Sequence, residues 1–177
     1  MPVRRNTLTI SHDELKRLLS YDPEAGIFKW LVRRGPAAPA GSRAGKPHHT
    51  GYRHITVARV VVAEHRLAWF YAHGKWPECE IDHVNRIKDD NRLANLREAT
   101  RSLNQANSGQ RSDNKAGHRG VSWHNGNGRW IASIGYQGKK IHIGSYKTPE
   151  AAAAAYAAKA AVLFGSFSSA EQGSHLQ

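Results

Sequence analysis

The pattern that most restricts the fold lies in residues 120–165. Three runs of strand-forming side chains, at 120–123, 129–136 and 139–146, are separated by short segments rich in asparagine and glycine. Segments of this kind favour the tight turns of antiparallel hairpins. This part of the chain is therefore predicted to form a three-stranded antiparallel sheet.

An alanine-rich segment follows the third run and has the sequence features of a helix. Thr148 can cap its first turn, and Pro149 suits the first helical position. The helix is predicted to extend to Phe164 and to end at Gly165. The small side chains of residues 151–155 would let this helix lie close to the sheet.

A polar segment at 108–116 has no apolar periodicity and is predicted to be a linker. Helix and strand patterns alternate before it. The predicted elements are a helix from Ser11 to about Leu19, strands at 27–32 and 52–57, a long loop at 35–51 and a helix at 62–73. The fold class is therefore predicted to be α+β, with one domain at 1–107, a second at 117–172 and a tail at 173–177.

Residues 80–107 follow the order strand, loop, strand, helix. The strands are predicted at 80–84 and 96–99, and Thr100 is suited to cap a helix that carries Asn104. This order places chemically active side chains at the end of a strand and on a helix that follows soon after it.

Asp82 and His83 lie at the end of the first of these strands. Adjacent strand residues point to opposite faces, so the two can share a site only if the strand ends or bends there. Carboxylate and amide oxygens, as in Asp82 and Asn104, are donors that suit a hard divalent cation. An imidazole with a pKa of ~6.5 can take a proton from water near neutral pH. These residue types indicate metal-assisted hydrolysis of a phosphodiester.

The charge balance indicates a polyanionic partner. The chain of 177 residues holds 26 Lys and Arg against 14 Asp and Glu, a formal net charge of +12. Cys79 is its one cysteine, which excludes an internal disulfide and a zinc site with several cysteines. No apolar run is long enough to span a membrane, and no signal peptide is recognisable. We expect a cytoplasmic protein of a bacterial or phage-infected cell, and no feature indicates an obligate protein partner.

Four segments carry a resemblance to a known family. They are 65–69 (His-Arg-Leu-Ala-Trp), 81–83 (Ile-Asp-His), 90–97 (Asp-Asn-Arg-Leu-Ala-Asn-Leu-Arg) and Asn104. Together they resemble the HNH endonucleases, in the branch common among phage and intron homing enzymes. The resemblance implies a ββα-metal fold around residues 79–107.

The same resemblance implies a role for each residue of the group. Asp82 and Asn104 would bind one Mg²⁺ or Mn²⁺ ion per active site, and His83 would be the general base. Asn95 would hold the loop and orient the histidine backbone without binding the metal. Two alternatives stay open for His65, which either contacts phosphate near the metal or is a core histidine of its helix.

Cationic and aromatic side chains alternate along the C-terminal strands, which suits a sheet that lies in the major groove of DNA. The candidate DNA-binding residues are Arg119, Trp123, Arg129, Lys139, Lys140 and His142. Arg119 and the two lysines are expected to contact phosphate. For Trp130 a core position is favoured, and for Trp123 both positions stay open.

The segments 119–121, 129–134, 138–140, 143–146 and 148–156 resemble the plant ethylene-response-factor or APETALA-type DNA-binding domain. The chain departs from that pattern at two strand positions, where Ser122 replaces a common arginine and His142 a common tryptophan. Base specificity therefore cannot be transferred from the plant proteins.

The two resemblances together predict an endonuclease of the homing type that acts on double-stranded DNA positioned by the C-terminal sheet. The principal alternative is a DNA-binding regulator with an inactive HNH fold. An RNA-binding protein is a third possibility, supported by the charge alone.

Overall fold

The computed structural model of the protein describes residues 10–108, 114 and 116–168. The chain divides into two compact units, Met1–Glu98 and Ala99–Gln177. Both contain helices and small antiparallel sheets, which confirms the mixed α+β class. The predicted linker at 108–116 lies largely outside the described residues, and the predicted tail at 173–177 lies entirely outside them.

The first unit begins with α1 (His12–Leu18), whose cap residue Ser11 accepts a hydrogen bond from the backbone N–H of Glu14 at 3.1 Å. Two antiparallel strands follow directly, β1 (Leu19–Asp22) and β2 (Ile27–Trp30). The sequence prediction missed β1, because a four-residue strand that starts at the end of a helix shows no clear alternation.

A three-stranded sheet follows, formed by β3 (Lys46–Pro47), β4 (Arg53–Val57) and β5 (Val60–Ala63) in that order. It leads into α2 (Glu64–His73), which ends at Gly74 in the left-handed conformation. The prediction that this helix starts at residue 62 was wrong. Val62 pairs with Ile55 across the β4–β5 hairpin, so apolar residues before the helix belong to the strand.

The predicted order of strand, loop, strand and helix is present at 80–107. The strands β6 (Glu80–His83) and β7 (Leu96–Ala99) form a two-stranded sheet, and a short 3₁₀ turn precedes β7. Helix α3 (Arg101–Asn107) belongs to the second unit. Its cap is Thr100, as predicted, and the hydroxyl accepts a hydrogen bond from the backbone N–H of Leu103 at 3.4 Å.

Large apolar side chains from every part of the first unit form its core. The fully buried members include Leu15, Leu19, Phe28, Ile55 and Leu67. Among the described residues of this unit, five polar side chains are also buried: Glu64, Asp82, His83, Asn91 and Asn95. Buried polar groups need partners within the protein, so their contacts determine how the site is built.

The second unit has the predicted sheet and helix. Its strands β8 (Val121–His124), β9 (Arg129–Tyr136) and β10 (Lys139–Tyr146) pair in the order β10-β9-β8, and α4 (Pro149–Phe164) packs on one face. The buried positions of this unit include Val121, Ala132 and Ile134 on the strands and Ala152, Tyr156, Ala160 and Phe164 on the helix. No helix in the described part of the chain is long and apolar enough to cross a membrane.

Gly120 shows how closely helix and sheet approach. Its φ of +69° lies in the left-handed region, and a Cβ at this position would lie 2.2 Å from the ring of Tyr156 and 2.7 Å from the carbonyl oxygen of Ser133. Only glycine fits here without displacing the core.

Candidate active site and candidate nucleic-acid interface

Asp82 and His83 are the last two residues of β6, and each is only 5 % exposed. Adjacent strand residues can share a site only where the strand ends or bends, and this strand ends at His83. Their side chains have different partners. Asp82 contacts Arg97 on β7, whereas the His83 ring lies among the rings of Tyr52 and His65.

The His83 ring contacts the side-chain amide of Asn91 and the aromatic rings of His65 and Tyr52. Its Nε2 lies 3.2 Å from Oδ1 of Asn91, and its centroid lies 5.2 Å from that of His65 and 5.8 Å from that of Tyr52. Burial lowers the pKa of the imidazole below its usual value, while the Asn91 contact and the charge of Asp82 act in the opposite direction. His83 is therefore uncharged at neutral pH and can accept a proton.

His65 lies beside His83 instead of in the apolar core. Its ring centroid is 5.1 Å from that of Tyr52, and its Nδ1 has no hydrogen-bond partner among the described residues. Burial, together with the neighbouring His83 and Arg66, lowers the pKa of His65 to about 3. This ring stays neutral at physiological pH and adds no positive charge next to His83.

Arg97 pairs with the carboxylate that is the expected metal ligand. Its Nε donates to Oδ2 of Asp82 at 2.8 Å. Burial and the negative charge of Asp82 together raise the pKa of the Tyr52 phenol. Asp82 therefore influences both the cation on β7 and the ring cluster around His83.

The amide of Asn95 bridges the two ends of the loop that follows His83. Its Oδ1 accepts from the backbone N–H of Asn85 at 2.9 Å, and its Nδ2 donates to the carbonyl oxygen of Asp90 at 2.7 Å. The Asn95 carbonyl also accepts from the backbone N–H of Val84 at 2.9 Å. These contacts fix the backbone directly after His83.

A buried contact between Arg53 and Glu64 adjoins this loop. Nε of Arg53 is 3.2 Å from Oε2 of Glu64, the first residue of α2, and 3.6 Å from Oδ1 of Asp89. Burial outweighs the attraction of Arg53 and raises the pKa of Glu64 to about 7. Arg53 thus links the start of the helix that carries His65 to the loop that follows His83.

The donor set suits a hard cation with few protein ligands. Among the described residues there is no cluster of three or more His, Cys, Asp or Glu side chains suited to a metal ion. A hard cation such as Mg²⁺ keeps several waters and accepts one or two carboxylates together with substrate phosphate. Asp82 supplies such a carboxylate, while Asn104 lies half-buried on α3 in the second unit.

The strand register divides the predicted DNA-binding residues between two faces of the C-terminal sheet. Trp123 pairs with Trp130, which packs on the core, so both lie on the face that α4 covers. Lys139 pairs with Tyr136 and lies on that same face. The open face carries Arg129, Lys140 and His142. Trp130 packs on the core, as the sequence favoured, and Trp123 is half exposed at 48 %.

Arg119 contacts the last turn of α3. Its guanidinium donates to the carbonyl oxygens of Gln105 at 2.5 Å and Ala106 at 2.7 Å, and also to that of Ser108. The last carbonyls of a helix lack partners within the helix, and an arginine can satisfy them. Arg119 therefore has a structural role that its predicted contact with phosphate did not include.

Three site residues escaped the sequence prediction. Asn91 is 1 % exposed and contacts His83, although its place in a polar run indicated only a turn. Tyr52 contacts both histidine rings but lies 31 residues before His83. Arg97 was the most accessible to prediction, because a β6–β7 hairpin would bring a strand cation towards Asp82.

Comparison with known proteins gives one match to a family model and one partial similarity to a plant protein. Residues 62–106 match the family model described as HNH endonuclease, and this segment contains Asp82, His83, Asn95 and Asn104. The chain is also 38 % identical over 79 residues to the ethylene-responsive transcription factor WRI1 of Arabidopsis thaliana. That similarity covers 44 % of this chain and 16 % of the plant protein. No solved structure matches the chain significantly.

Proposed function

We propose that the protein is a DNA endonuclease of the homing type that hydrolyses phosphodiester bonds with one Mg²⁺ or Mn²⁺ ion. The observation that carries this proposal is the buried His83 at the end of β6, inside the segment that matches the HNH endonucleases, where burial lowers the pKa of the imidazole. A neutral imidazole next to an acidic side chain is a suitable general base for a water molecule.

The proposed roles follow from the partners of each side chain. His83 takes the proton from the attacking water, and Asn91 keeps the ring in one orientation. Asn95 holds the backbone after His83, and His65 contributes an uncharged ring beside it. Asp82 and Asn104 would hold the metal ion, which supplies charge neutralisation for the phosphate and the leaving oxygen when bound. Hydrolysis leaves a 5′-phosphate and a 3′-hydroxyl.

The second unit is proposed to position double-stranded DNA on the open face of its sheet. Arg129, Lys140 and His142 are the contacts that its register supports best. Arg119, Trp123 and Lys139 remain candidate DNA contacts outside this open face. The plant relative is by name a transcription factor, which agrees with a DNA-binding role for this unit.

Genomic DNA incubated with the protein and Mg²⁺, followed by mapping of the new ends, tests the proposal. We expect a small set of recurrent ends with 5′-phosphates, absent when EDTA replaces Mg²⁺. Intact DNA in the presence of Mg²⁺ and of Mn²⁺ would contradict the nuclease proposal. Binding without cleavage would instead favour the second candidate, a DNA-binding regulator, which the similarity to a transcription factor supports.

A further inference from the structure

The loop at 84–92 displays one apolar side chain to solvent. Ile87 is 58 % exposed, although it lies only four residues after His83. Its backbone groups are both used inside the loop, because its N–H donates to Oδ1 of Asn85 at 2.9 Å and its carbonyl accepts from the N–H of Asp90 at 3.1 Å. Of the groups of Ile87, the apolar side chain therefore remains available to contact a partner.

The 84–92 loop is held in this shape by contacts at both ends. The N–H of Arg86 donates to the carbonyl of His83 at 2.9 Å, and Nδ2 of Asn85 donates to Oδ2 of Asp90 at 2.6 Å. Lys88 anchors the middle of the loop, because its Nζ donates to the carbonyl of Thr50 at 2.9 Å. A loop that is already ordered loses little conformational entropy when it binds.

Backbone strain marks the same part of the loop. Arg86 has a φ of +65°, a left-handed conformation that is unfavourable for a residue with a side chain. Strain of this kind persists where the surrounding contacts impose it, and it concentrates at functional sites. Arg86 and Lys88 place one cationic residue on each side of Ile87 in the sequence.

We propose that Ile87 is a wedge that enters the minor groove of duplex DNA and unstacks a base step beside the bond to be cut. Proteins that bend DNA from the minor groove combine inserted apolar side chains with neighbouring Arg and Lys, as in this loop. Four residues of chain reach at most about 14 Å, so the unstacked step lies within about four base pairs of the scissile phosphate. The inference rests on the proposed nuclease function and adds to it how the substrate is deformed.

Cleavage of matched duplexes tests the wedge. Once the cut site is mapped, Ile87→Ala is compared with Val61→Ala, which removes methyl groups from a side chain that is 53 % exposed on β5. We expect Ile87→Ala to nick the paired duplex about tenfold more slowly, because the variant buries less apolar surface between the bases. Val61→Ala should stay within about twofold of the wild type, as surface substitutions usually do.

A mismatch near the cut separates a wedge from a simple contact. In duplexes with one mismatch moved through about four base pairs on each side, at least one position should restore Ile87→Ala to within about twofold of the wild type. A mismatched step is already partly unstacked, so the wedge is no longer needed. An unchanged rate for Ile87→Ala on the paired duplex would overturn the proposal, as would an equal loss on every mismatched duplex.

A fluorescence measurement in EDTA makes the wedge testable without cleavage. Duplexes bound by the protein carry 2-aminopurine, a base whose fluorescence rises on unstacking, at successive positions. The wild type should raise the fluorescence at one step and Ile87→Ala should not. If the wild type cleaves no DNA, the nuclease proposal fails while this signal still decides the wedge. Binding without a rise at any position would overturn it.

Discussion

The two units differ in where they place the polar side chains that are expected to function. The first unit buries the groups that are expected to react or to position others, and His83, Asn91 and Asn95 are each no more than 7 % exposed. The second unit has a core of alanine and larger apolar side chains, and it exposes Lys140 and His142 on its surface. Chemistry in the first unit therefore depends on the integrity of the fold, whereas the second unit can lose a charge without losing its structure.

The largest expected effect is loss of the proposed metal ligand. Asp82→Asn keeps the shape of the side chain but removes its charge. We expect nicking to slow by at least about 100-fold, because a bound cation contributes several kcal/mol to the transition state. Binding of Mn²⁺, followed by electron paramagnetic resonance, should weaken in parallel. Asp89→Asn is the matched control on a half-exposed side chain, and an equal loss in both variants would contradict the assignment.

The next effect tests the tight core of the second unit. Gly120→Ala should lower the free energy of unfolding by about 4 kcal/mol, because left-handed strain adds to the clash with Tyr156. Gly117→Ala has a similar φ of +71° but no atom within 4 Å of the added Cβ, so about 1 kcal/mol is expected. Urea unfolding measures both values. Equal destabilisation would show that the close approach of helix and sheet contributes nothing.

Glu64 should make the stability of the first unit depend on pH. Its pKa is about 7 in the folded protein against 4.5 as the ordinary value, so the folded state holds this proton while the unfolded state has lost it. The stabilisation is therefore complete below about pH 4.5 and is lost as the pH rises through about 7. A shift of this size corresponds to about 3 kcal/mol.

Urea unfolding between pH 4.5 and 8 tests this dependence. Glu64→Gln should flatten the decline that the wild type shows with rising pH. Asp89→Asn, which changes the other partner of Arg53, should leave the decline in place. If the free energy of unfolding of Glu64→Gln declined with rising pH as much as that of the wild type, Glu64 would not hold a proton in the folded protein.

The smallest effect separates the two faces of the C-terminal sheet. Lys140→Ala on the open face should reduce the salt dependence of DNA binding by about one unit of the logarithmic slope, because one phosphate contact is lost. Lys139→Ala, on the face shared with Tyr136, should change the slope less. Fluorescence anisotropy across a series of salt concentrations measures both. A larger change for Lys139→Ala would reverse the assignment of the faces.

Local patterns were sufficient to predict most elements. The strands of the second unit and the helix from Pro149 to Phe164 agree with prediction, because alternation, turn residues and caps all point to the same structure. The start of α2 could not be located, since Val62 suits a strand and a helix equally until its pairing with Ile55 is known. Packing of Trp130 on the core also followed from the sheet and its covering helix.

The candidate site was less accessible to prediction, because its contacts join residues that are distant in the chain. Asp82 and His83 could be selected by residue type and their position at a strand end. The ring cluster of Tyr52, His65 and His83 depends on how α2 and β4 pack, which no local pattern contains. The pairing of Arg97 with Asp82 was more accessible, because it requires only that β6 and β7 lie side by side.

The separation of cleavage from binding is the central claim, and His83→Ala tests it most directly. Nicking of supercoiled plasmid in Mg²⁺ and binding of the same DNA in EDTA are measured on one preparation. We predict that nicking falls by about 10²- to 10⁴-fold, the usual contribution of a general base, while the dissociation constant stays unchanged. Nicking at the wild-type rate would contradict the account, because the buried imidazole would then have no part in the reaction.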